Sequence, residues 1–94
     1  MTRQTDAAVT VEFLGLAELR AGCRCLQAKA SSVKELLGVL EREVPPFVER
    51  AEDGQPQLRS SWILNVNGDR FVKGSHQPLH DGDVVLVLSV DAGG

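Results

Sequence analysis

VVLVLSV, residues 84–90, decides the fold: four valines, two leucines and one serine. The run is too short and too β-branched for a buried helix. Near-continuous apolar character suits a strand covered on one face and flanked on both edges. The segment is therefore expected at the centre of a sheet, and the rest of the chain must supply its neighbours and its cover.

Working backward, Asp81-Gly82 makes a tight turn into this strand and closes a loop over 73–83. Before it, WILNVNGDRFV (62–72) reads as a strand, an Asn67-Gly68 turn and a second short strand, because both turn residues tolerate positive φ. The polar stretch 47–61, with Gly54 and Pro56, is too long for a tight turn. It reads as a partly ordered surface connection.

The cover is SSVKELLGVLEREV (31–44). Val33, Leu36, Leu37, Leu40 and Val44 form one helical stripe. Ser32 with Glu35 three residues later is a capping-box signature, and Pro45-Pro46 ends the helix. Gly38 inside it is expected to mark close approach of the helix to the sheet. VTVEFL (9–14) alternates, with Val9, Val11 and Phe13 on one face, and RCLQAKA (24–30) is a weaker strand. Between them GLAELRAGC (15–23) fits a turn or one short helical turn. The first and last strands, joined by a crossover helix, are expected side by side and parallel. The result is an α+β, ubiquitin-like β-grasp roll: a mixed four- to five-stranded sheet with one main helix. Its expected organisation is a flexible lead at 1–8, the domain at 9–89 and a flexible Gly-Gly tail at 90–94.

Ninety-four residues make one domain, and a net charge of −3 argues against nucleic-acid binding, which wants a basic stripe. No apolar run approaches the roughly 18–20 residues of a membrane span. MTRQTDAA lacks the apolar core of a secretory signal, so a cytoplasmic location is expected. Cys23 and Cys25 cannot staple the fold and lack companion metal ligands; in a strand both would share a face. His76 and His80 flank Pro78 in a Gly/Asp-rich loop, which excludes a helical metal pair. No metal site, bound cofactor, phosphate loop or nucleophile–base pair is apparent, so the chain does not read as an enzyme.

VTVEFLGLAELRAG, the SSVKELLGVLE helix, LNVNGD, LHDGDVVLVL and the closing AGG together resemble the ThiS/MoaD family of ubiquitin-like sulfur carriers. The match runs over 9–94. The resemblance implies that the Gly94 carboxylate is adenylated by an ATP-consuming enzyme of the ubiquitin-activating type. Sulfur then displaces AMP to leave a thiocarboxylate. Gly93 implies threading into a narrow partner site, and Val90, Asp91 and Ala92 the approach that the partner grips. Asp91 carries a charge into that channel, where a cation or solvent must meet it. The length of 47–61 implies the molybdopterin type, a small subunit whose partner is a molybdopterin synthase large subunit or a similar sulfur-acceptor enzyme. A carrier for cysteine, thiamine thiazole or another metabolite, and a modifier conjugated through Gly94, are the other fates of the same activated glycine. Partner docking is expected on the open sheet face around the last strand, through Ile63, Val85 or Val87.

Overall fold

The computed structural model describes residues 7–72 and 74–93. Strand β1 (Ala8–Phe13) is followed by the short helix α1 (Leu16–Ala21), β2 (Cys25–Lys29) and the main helix α2 (Val33–Glu43). A 3-10 turn (Pro45–Phe47), β3 (Val48–Arg50) and β4 (Pro56–Leu58) come next. Then follow β5 (Trp62–Val66), β6 (Arg70–Phe71), β7 (Val84–Ser89) and the helical turn α3 (Val90–Gly93).

The main sheet has five strands in the order β2-β1-β7-β5-β6, with β7 in the middle as its apolar run requires. β1 and β7 are parallel, Val11 opposite Val85 and Phe13 opposite Val87. All other pairs in this sheet are antiparallel. The fold is the expected α+β roll.

Helix α2 forms where its apolar stripe can meet the sheet: Val33, Leu36, Leu37 and Leu40 are buried against Val9, Val11, Phe13, Val85 and Val87. The Ser32 hydroxyl accepts from the Glu35 N–H (3.2 Å), and the Glu35 carboxylate accepts from the Ser31 N–H (2.8 Å). Carbonyls of Gln77 and Ser75 accept from Val33 and Lys34, so the loop before β7 supplies partners to the helix's first turn. Gly38 does not mark a close approach. A Cβ added there would meet nothing within 4 Å, because Gly38 lies off the buried stripe of Val33, Leu36, Leu37 and Leu40.

The 47–61 connection is ordered as the β3–β4 hairpin, tied to α2 by paired hydrogen bonds from Arg50 to the Glu41 carboxylate, each 2.8 Å. Phe47, just past the prolines, is fully buried between Phe13 and Trp62, with ring centroids 5.4 and 4.7 Å away. Among the described residues no helix is long and apolar enough to cross a membrane. Residues 1–6 of the expected lead, and Gly94, lie outside the described residues.

Candidate functional site

The last strand delivers the chain to one end of the sheet. β7 stops at Ser89 and the backbone coils into α3, whose first N–H, from Val90, donates to the Ser61 carbonyl at 2.9 Å. Val90 and Asp91 are exposed there; Ala92 and Gly93 complete the turn. Of the expected site residues, Val90, Asp91, Ala92 and Gly93 therefore sit together on α3. Gly94, the expected reacting residue, lies outside the described residues.

A cleft of about 640 Å³ opens beside this turn. Leu16 and Arg20 of α1 form one wall, Arg59 and Trp62 another, and Val90 and Asp91 the rim. Trp62 packs against Phe47 with the two rings tilted by 56°, so that wall is tied to the core. α1 exists because Gly15 and Gly22, at φ 57° and 78°, let the chain turn sharply into and out of it. It buries Ala17 and leaves Leu16 and Leu19 62% and 79% exposed. Two exposed large apolar side chains, Leu16 and Val90, thus meet at this cleft, and Leu14 and Leu19 are exposed just before and on α1. The sequence reading did not single out Arg20 or Arg59. Nothing local marks them, since a surface arginine acquires this role only through what the fold places beside it.

The second feature is the uncovered sheet face. Pairing places Cys25, Glu12, Leu86, Asn65 and Phe71 in one row across all five strands. Neighbouring rows add Gln27, Thr10 and Val84, and Ile63 with Leu88. The centre of the face is apolar and its β2 side polar. This corrects the expected patch. Ile63 does belong to it, but Val85 and Val87 are fully buried under α2, and Val84, Leu86 and Leu88 take the open side. An all-apolar strand carries no alternation to fix its register, and pairing with Val11 and Phe13 decides it. The cysteines also part company. Cys25 is exposed on the open face, whereas Cys23 precedes β2 and packs against the core.

The opposite end of the sheet is held by polar contacts. Asn67 and Gly68 both take positive φ (61° and 71°), as the turn requires. Asn67 Nδ2 donates to Asp83 (3.0 Å) and its Oδ1 accepts from the Val84 N–H (2.8 Å). The His80 N–H also donates to Asp83, at 2.9 Å. Partial burial pushes the Asp83 pKa up. The bonds from His80 and Asn67, with the positive charges of His80 and Arg70, outweigh it and hold the carboxyl below its ordinary value. His76 and His80 are exposed loop residues. Among the described residues no group of three His, Cys, Asp or Glu side chains is placed to hold a metal ion.

A central parallel β1–β7 pair, one crossover helix and a chain leaving the middle strand at an open end define the architecture. The chain is a ubiquitin-like β-grasp protein. No protein-family model and no curated protein matches the β-grasp chain. Solved structures do. Small archaeal modifier protein 1 from Methanosarcina acetivorans superimposes with a TM-score of 0.76 at 22% identity, over 97% of this chain and 100% of that one. A Pyrococcus furiosus chain assigned as subunit 1 of molybdopterin converting factor gives 0.67 at 23% identity, over 88% and 97%. Urm1 from Trypanosoma brucei gives 0.56 at 27% identity, over 98% and 100%. These are proteins of the kind to which the ThiS/MoaD resemblance pointed.

Proposed function

We propose that this β-grasp protein is a sulfur carrier, acting in the cytoplasm as a cosubstrate and not as an enzyme. Gly94 is its reactive group. The observation that carries the reading is the course of the chain: Gly93 lies four residues beyond Ser89, the last residue of the central strand, beside the cleft that Leu16 and Val90 line, and Gly94 is the next residue in sequence. Spacing from the strand, and not the glycine pair alone, makes it specific.

The chemistry follows from the carboxylate. Ionised at neutral pH, with an ordinary α-carboxyl pKa of about 3.5, it is a poor electrophile but a competent nucleophile toward the α-phosphate of ATP. Pyrophosphate leaves, and the mixed anhydride has AMP as a good leaving group. A persulfide attacks the carbonyl carbon and AMP departs, leaving an acyl disulfide; a second thiol then attacks the sulfur–sulfur bond, passes into a disulfide with the donor's sulfur and releases the thiocarboxylate. Transfer of that sulfur to an acceptor, with water supplying oxygen, restores the carboxylate. Glycine suits the step because a chain without Cβ threads a narrow channel. ATP and the catalytic groups belong to an adenylating enzyme of the ubiquitin-activating type. This chain supplies the handle and the docking surfaces: the open face around Leu86 and Leu88, and the cleft with Leu16, Arg20, Arg59 and Trp62. Arg20 and Arg59 also provide cations near Asp91. The favoured acceptor is a molybdopterin synthase large subunit, in line with the Pyrococcus likeness.

A second reading has support in the likeness to a small archaeal modifier protein. There the same activated glycine forms an amide with a lysine. Incubating the chain with its host adenylating enzyme, ATP and a persulfide donor separates the two. A carrier gains about 16 Da in intact mass, the difference between sulfur and oxygen. A modifier gives heavier conjugates that hydroxylamine does not release. Failure of Gly94 to be adenylated would overturn both.

A further inference from the structure

Two described residues hold a buried side-chain atom that finds no hydrogen-bond partner, Asn65 Oδ1 and Gln77 Nε2. Asn65 is the more telling. Its neighbours Leu64 and Val66 turn into the core opposite Val87 and Val85, so strand alternation sends Asn65 to the uncovered face. There it stands between Leu86 on β7 and Phe71 on β6 and is only 7% exposed. Asparagine is disfavoured within strands, and a buried acceptor left unbonded opposes folding. Nothing in the fold repays it: an apolar residue would pack the same row without an orphan oxygen. Phe71, its neighbour across the edge, lies on a strand of two residues and is itself 46% exposed.

We infer that Asn65 Oδ1 is a docking acceptor. The adenylating enzyme seats an apolar surface on Leu86, Leu88 and Ile63. It directs one N–H or O–H donor at Asn65, with the Phe71 ring displaced outward to admit it. An acceptor closed off from bulk solvent and unbonded within the fold is complementary to a donor brought by a second molecule, and a partner with that donor gains a bond that an apolar partner cannot make. Asn65 is then a specificity determinant of the open face. The inference rests on the proposed docking of partner enzymes there.

The test measures binding of the full chain to its purified host adenylating enzyme in the presence of ATP, alongside thermal unfolding, for Asn65→Leu, Asn65→Val and Leu88→Asp. A lost hydrogen bond predicts that Asn65→Leu binds about fivefold to tenfold more weakly. Its Tm is unchanged or higher, opposite in direction to the binding loss. If Asn65→Leu binds within about twofold of the wild type while Leu88→Asp does not bind, the open face docks without Asn65 and the inference is overturned. If Leu88→Asp also binds normally, the docking reading itself fails. A fall in Tm for both the leucine and the valine variants would show that the oxygen serves the fold, and would also overturn it. So would a wild-type dimer that Asn65→Leu converts to monomer, because the donor then belongs to a second copy.

Discussion

The two ends of the sheet are built on opposite terms. At the start of β7, side-chain and backbone groups close on one another: Asn67, His80 and Asp83 share a network, Asp81 accepts from the Ala8 N–H at 2.9 Å, and Gly82 donates to the Ala8 carbonyl at 2.8 Å. At its far end, apolar side chains face solvent and α3 is tied to the strand layer through Val90 and Ser61. Satisfied polar groups rigidify, whereas exposed apolar groups are free energy held back for a partner. The proposed carrier role would use both: a firm end that fixes strand register, and an open end from which the chain runs on through Gly93.

The comparison breaks most decisively at the tail. A chain ending at Ala92 should lose adenylation and thiocarboxylate formation completely by mass spectrometry, while its Tm stays within about 1 °C of the full chain. Leu88→Asp should reduce binding to the adenylating enzyme by tenfold or more in calorimetry and leave the circular dichroism spectrum unchanged, since Leu88 lies on the open side.

At the firm end the signs reverse. Asp83→Ala should cost about 0.5–1.5 kcal/mol in denaturant unfolding, through loss of the hydrogen bonds from Asn67 and the His80 N–H, with activation by the partner unaffected. Its folded pKa is depressed, so this contribution is present above the unfolded value of about 3.9 and is lost as pH falls through the folded pKa. The gap between variant and wild type should therefore close on acidification below about pH 4. Gly38→Ala, belonging to neither end, should stabilise by up to about 1 kcal/mol, because the space beside it is open and alanine favours the helix. Leu19→Ser should change stability by less than about 0.5 kcal/mol, since that side chain is already in solvent.

Features written in local chemistry were legible from residues. Ser32 and Glu35 cap α2 as their spacing implied. Asn67-Gly68 makes the β5–β6 turn, and the stripe of Val33, Leu36, Leu37 and Leu40 faces the sheet. Where a residue's meaning depended on its neighbours across the fold, the reading was wrong or absent. Gly38 pointed to close approach because glycine permits it, but permission is not contact. Asn65 stands in WILNV as one polar residue among apolar ones, a visible signal whose orphaned oxygen only strand pairing reveals.

By itself the sequence determined the order of the main sheet's strands and helix α2 along the chain and the central place of 84–89, because periodicity, caps and turn residues act within a few positions of the chain. Which valines of that strand enter the core, what lines the cleft beside the tail, and that Asn65 lacks a partner were decided only by tertiary structure. Those facts arise from side chains distant in sequence competing for the same space, and no local pattern encodes the outcome.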